Sequence, residues 1–221
     1  RSPSRGLGDV YKRQVLGGIV SSTALTSSFA IDSKRLKNLS TPLGIGIVIA
    51  CSIMFFRVIL EVMIVNPSLV GEVFFVSLMG VAGIIISIIL LTKNQDSKVT
   101  KMKMASPFTL KPALTFVTLF TIIIFFTQLL TTIFGNSGLY FIALFSGFLD
   151  VDAITLTLSK MALENTITNF TAASGIFIAA VSNTVFKGGI AYYLGTKQLS
   201  KLVISSFFVI LFVGLLSLFL I

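Results

Sequence analysis

Runs of about 20 apolar residues, separated by short polar turns, recur along this chain from residue 15 to its end. A bilayer core of ~30 Å asks for a helix of about that length. Inside lipid the backbone must satisfy its own polar groups, which leaves only helices and closed barrels. Short strands alternating apolar and polar residues are missing from the sequence, so a barrel is excluded. The runs cover residues 15–31, 43–65, 70–92, 112–134, 138–160, 172–195 and 202–221. The expectation is an all-α polytopic membrane protein of about seven segments. Charged residues make up only 11% of the chain and its mean hydropathy is +1.00, leaving no room for an extramembrane domain.

Residues 1–14 stand outside this pattern. They carry Arg1, Arg5, Lys12 and Arg13 against Asp9 and have no apolar period. The string resembles a translated adapter remnant and is set aside as non-native. Residues 15–221 then form one helical membrane domain of net charge +6, against +9 for the whole chain, expected to lack native sequence upstream.

Most of the remaining basic residues lie in loops between apolar runs, without interleaved aromatics. Membrane topology accounts for them better than a nucleic-acid surface does. One cysteine, Cys51, and no histidine exclude a disulfide framework, a His-based zinc site and a Cys–His nucleophile. No nucleophile elbow or P-loop is present, so catalysis is not expected.

One phrase occurs twice. Gly18-Ile-Val-Ser-Ser-Thr-Ala-Leu-Thr26 returns 129 residues later as Gly147-Phe-Leu-Asp-Val-Asp-Ala-Ile-Thr155. Ala50-Cys-Ser-Ile-Met-Phe-Phe-Arg57 is echoed by Ala180-Val-Ser-Asn-Thr-Val-Phe-Lys187, at an offset of 130. A repeat of two helices follows, with copy A over about 15–65 and copy B over about 138–195. Such duplications build midplane sites in many transporters.

Charge orients the segments. Lys34, Arg35 and Lys37 place the first loop in the cytoplasm, and the five lysines of residues 93–111 do the same for the third. If segment five crosses the membrane fully, Lys197 and Lys201 fall outside, against the rule. If it breaks at residues 148–152 and re-enters, they fall inside and the repeats become inverted. Segment one, its counterpart, would then be broken or re-entrant too.

Asp150 and Asp152 are the leading ligand candidates, because an intramembrane carboxylate costs at least ~2.5 kcal/mol and usually marks a pathway. Residues i and i+2 face one side only in extended backbone, so joint coordination of a metal ion needs the helix to unwind there. Alternatively, the pair lies near the surface and caps a helix starting at Ala153. Ser21, Ser22 and Thr23 stand at the equivalent place in copy A, as further ligands or as small packing residues. Asn183 shares a helix face with Lys187, whose most economical counter-charge is Asp150 or Asp152. Arg57 and Glu61, at i and i+4, form a structural ion pair.

Gly17-Gly-Ile-Val-Ser-Ser-Thr-Ala24, Phe55-Phe-Arg57 followed by Asn66-Pro67, Gly147 to Thr155, and Asn183-Thr-Val-Phe-Lys187 together resemble one bacterial and archaeal family. It is the membrane domain of unknown function found C-terminal to MgtC/SapB-type domains. The resemblance implies a multi-pass protein of the cytoplasmic (inner) membrane, with an MgtC/SapB-type domain upstream in longer members. It supplies no substrate. The functional expectation is a transporter-like domain handling a small cation of unknown identity, with no other cofactor. A regulatory or scaffold domain that docks other membrane proteins is the alternative.

Overall fold

The computed structural model describes residues 22–93 and 132–218, together with 118, 121–122, 124–127 and 129–130. Among these residues all regular structure is helical: α1 (Ser22–Arg35), α2 (Ser40–Val65), α3 (Phe74–Lys93), α4 (Asn136–Leu149), α5 (Val151–Leu163), α6 (Asn169–Leu194) and α7 (Lys197–Leu218). Four stretches are long and apolar enough to cross a membrane: Lys37–Val65, Phe74–Lys93, Asn169–Leu194 and Lys197–Leu218. Large apolar side chains such as Leu60, Ile64, Ile85, Ile88 and Phe208 are exposed on these helices, as lipid contact requires. The described part of the 112–134 run is helical, and the rest of that run lies outside the described residues, as do 15–21 of the first.

Boundaries shift for local reasons. The second segment starts at Ser40 rather than Leu43, since Pro42 is tolerated in a first helical turn. The third starts at Phe74 rather than Val70, after a 3₁₀ turn over Pro67–Leu69. The seventh starts at Lys197 rather than Leu202. Lys197, Gln198 and Lys201 stay exposed there while Leu199, Ser200 and Val203 turn inward, so polar residues extend the helix without being buried.

The chain divides into two compact units. The first comprises Arg1–Met54, Leu78–Pro107 and Lys187–Ile221; the second comprises Phe55–Ser77 and Phe108–Phe186. In the first, α7 lies along the start of α2, with Leu202 and Leu199 against Gly44. Thr196 Oγ1 donates to Ser40 Oγ (2.9 Å), and Gln198 Nε2 donates to Thr41 Oγ1 (2.9 Å). Further along, Met79 of α3 packs on Gly214 of α7.

The second unit contains the expected break. Segment five is two helices, α4 and α5, and the interruption is shorter than the five residues anticipated. Asp150 alone is extended (φ −158°, ψ 137°). The direction changes at that residue. Leu139 near the start of α4 and Leu158 just past the middle of α5 both lie against Gly175 of α6. A straight run would separate residues 139 and 158 by about 28 Å at 1.5 Å per residue, so α4 and α5 form a hairpin.

Local chemistry closes both ends of α5. Asp150 caps its start, accepting from the Asp152 N–H (3.3 Å). At the other end Asn165 takes φ 55°, with Thr166 N–H donating to Met161 O (2.9 Å) and Asn165 N–H donating to Ala162 O (3.0 Å). This is the Schellman pattern, which favours Gly or Asn at the left-handed position. Thr168 Oγ1 then accepts from Thr171 N–H (3.1 Å) and caps α6.

Candidate functional site

The tip of the hairpin sits against the middle of α6. Asn183 Nδ2 donates to Gly147 O (2.6 Å), Ser182 Oγ donates to Leu144 O (2.6 Å), and Phe148 packs on Phe186 with ring centroids 5.6 Å apart. Gly147 makes this approach possible. A Cβ there would collide with Ala179 O and stand 2.9 Å from Ser182 Cβ. Asn183 is 14 residues into α6, about 21 Å along a helix of about 39 Å. The break therefore falls near half the length of a helix able to span a bilayer.

Asp152, on the first turn of α5, meets Arg57 of α2. Arg57 Nε donates to Asp152 Oδ1 (3.1 Å), and its terminal nitrogen pairs with Asp152 Oδ2. The same guanidinium reaches Glu61 Oε1 at 3.8 Å. The expected Arg57–Glu61 pair is thus the longer of two contacts. A bidentate Arg–carboxylate fork is geometrically the stronger. Two carboxylates, Asp152 and Glu61, therefore share Arg57. Among the described residues no group of three His, Cys, Asp or Glu side chains is placed to hold a metal ion together.

Asn183 is nearly fully buried. Its donor end is fixed on Gly147 O, and its Oδ1 has no hydrogen-bond partner among the described residues. The amide orientation follows from chemistry, since a carbonyl can only accept. Glu61 Oε2, Ser146 Oγ, Thr155 Oγ1 and Ser159 Oγ are likewise buried without a hydrogen-bond partner. All five atoms belong to the second unit.

Lys187 and Ser22 belong to the first unit. Lys187 is completely buried, and its ammonium donates to Ser22 Oγ (2.6 Å) and Met54 Sδ (2.9 Å). Thr23 O accepts from Ser27 Oγ (3.2 Å), and Ser21 lies outside the described residues. The sequence gives Glu61 only as the structural partner of Arg57, and does not place Thr155, Ser146 or Ser159 at the site. Thr155 carried a signal, because it closes the repeated phrase and falls one helical turn after Asp152.

These features define a helical membrane protein with a broken, folded-back helix that holds carboxylates and an open amide oxygen at its tip. Comparison with known proteins then places it. The chain belongs to the family described as Domain of unknown function (DUF4010), whose model matches residues 13–195. An uncharacterized protein from Aquifex aeolicus (strain VF5) is 33% identical over 199 residues, covering 88% of this chain and 86% of that protein. No solved structure matches.

Proposed function

We propose that this domain carries a small cation across the cytoplasmic membrane, through a site at the tip of the α4–α5 hairpin. The observation that carries the proposal is Asn183. An amide oxygen buried at half-depth, beside a helix break bearing Asp150 and Asp152, is an acceptor in search of a positive partner. The donor set of two carboxylates and an amide oxygen is all oxygen, which suits a hard cation. Transporter helices break at midplane to expose such groups. Glu61 supplies further carboxylate oxygens, and Arg57 holds Asp152 until a cation competes for it.

Two features support an inverted repeat. Both arms of the hairpin pass Gly175, at Leu139 and Leu158, as a segment that turns back requires, and re-entry returns Lys197 and Lys201 to the cytoplasmic side. The basic residues are also exchanged between copies. Arg57 of copy A reaches Asp152 of copy B, while Lys187 of copy B reaches Ser22 of copy A. Lys187 and Ser22 form a counterpart contact in which the ammonium stands in for a cation. In longer members an MgtC/SapB-type domain is the proposed upstream partner.

Binding is tested on the purified full chain by thermal unfolding across a panel of mono- and divalent cations. A ligand at 100 times its Kd stabilises the folded state by about 2.7 kcal/mol. One cation is expected to raise the transition temperature, and Asp150→Asn with Asp152→Asn to abolish the shift. The closed Arg57–Asp152 pair favours the scaffold alternative, in which no cation stabilises the protein and neutralising Asp150, Asp152 and Lys187 together leaves folding intact.

A further inference from the structure

Helices α2 and α5 run side by side in the second unit, and two contacts fix their register. Arg57 meets Asp152, and nine residues later Asn66 Nδ2 donates to Ser159 O (3.5 Å), seven residues past Asp152. Both numbers rise together, so the helices are parallel. Glu61 lies one turn beyond Arg57 and Thr155 one turn beyond Asp152, which brings these two to the same level. Asp152, Thr155 and Ser159, at i, i+3 and i+7, share one face of α5.

That face differs from most hydroxyl-bearing positions among the described residues. Most hydroxyls on these helices satisfy themselves by donating to a carbonyl one turn back: Thr26 to Ser22 O (2.7 Å), Ser52 to Val48 O (2.8 Å), Thr157 to Ala153 O (2.8 Å) and Thr184 to Ala180 O (2.8 Å). Thr155 and Ser159, each with no exposed surface, do not. The contrast is sharpest at Thr26 and Thr155, which occupy the same place in the repeated phrase. Glu61 Oε2, at the level of Thr155, is also buried and without a hydrogen-bond partner. The row ends at Asn66, whose Oδ1 accepts from Ser68 Oγ (2.6 Å) in the exposed turn after α2.

We infer that the α2–α5 seam, lined by Glu61, Thr155, Ser159 and Asn66, is a hydrated cation path between the Asn66 turn and Asp152. Unsatisfied buried hydroxyls and a carboxylate oxygen along one seam need mobile partners, and water or a partly hydrated cation supplies them. Two polar atoms at one level are the least a bridging water requires. Glu61 and Asp152 place carboxylate oxygens along the path, so its lining suits cations better than anions. The inference rests on the cation-carrier reading and names the route by which that site is reached.

The experiment is thiol labelling of the full chain in liposomes, in a Cys51→Ser background. Thr155→Cys and Ser159→Cys are compared with Leu158→Cys, a buried position packed on Gly175. A cationic methanethiosulfonate is expected to modify both path positions at least tenfold faster than Leu158→Cys, and an anionic one to lag behind it. Should one path variant not fold, the other carries the same comparison. Labelling at path positions no faster than at Leu158→Cys overturns the path even if the protein carries cations. Labelling as expected in a protein that carries no cation upholds the path and removes the carrier reading. Thr155→Val, which keeps the shape and loses the hydroxyl, is expected to reduce flux at least threefold, whereas Thr157→Val is not. Equal fluxes would count against the path.

Discussion

Gly147→Ala tests whether the hairpin tip is held against α6 as closely as described. The added Cβ would stand 2.9 Å from Ser182 Cβ and 3.0 Å from Ala179 Cα, and closer still to Ala179 O. Two of these three neighbours are backbone, so no side-chain rotation relieves the clash and the hairpin must move outward. Overpacking of this kind costs about 1–3 kcal/mol. The same movement stretches the bonds from Asn183 to Gly147 O and from Ser182 to Leu144 O, each worth about 1 kcal/mol net. Alanine's better helix propensity returns about 1 kcal/mol. The expected loss is about 1–3 kcal/mol, read by denaturant titration of the full chain in mixed micelles. Gly189→Ala on α6 is the control. Nothing lies within 4 Å of its added Cβ, so the change should be neutral or stabilise by up to about 1 kcal/mol. Equal stability of the two variants would refute the close approach at Gly147.

Other substitutions examine separate parts of the account by the same titration. Thr168→Ala removes the α6 cap and should cost about 1 kcal/mol. Asn165→Gly should be neutral and Asn165→Val should cost roughly 1–2 kcal/mol, because only the former is at ease with a positive φ. Lys187→Ala empties a fully buried position and should cost about 2–4 kcal/mol, while Lys187→Met, which keeps the volume, should cost less.

The helical class followed from apolar run length alone, because a bilayer leaves few alternatives. The break at Asp150 was legible too, since two acids and a glycine in an apolar run are incompatible with an uninterrupted lipid-facing helix. Its shape was less so. The sequence reading needed an unwound stretch to bring both carboxylates to one side. The structure uses one extended residue and lets Arg57 collect Asp152 from a helix 95 positions away in the chain. Periodicity describes one helix at a time and cannot register α2 against α5, which is why Arg57 was matched with its own helix neighbour, Glu61. Thr155 and Ser159 escaped notice for a related reason. A hydroxyl on a membrane helix is usually satisfied by its own backbone, and only packing shows which ones are not.

Cation flux through liposomes reconstituted with the full chain tests the central claim most directly, comparing the wild type with Asp150→Asn and Asp152→Asn. The account predicts measurable flux of at least one small cation in the wild type and a loss of tenfold or more in each variant that still folds. Unchanged flux in both folded variants, or none in the wild type for any cation tried, would contradict it.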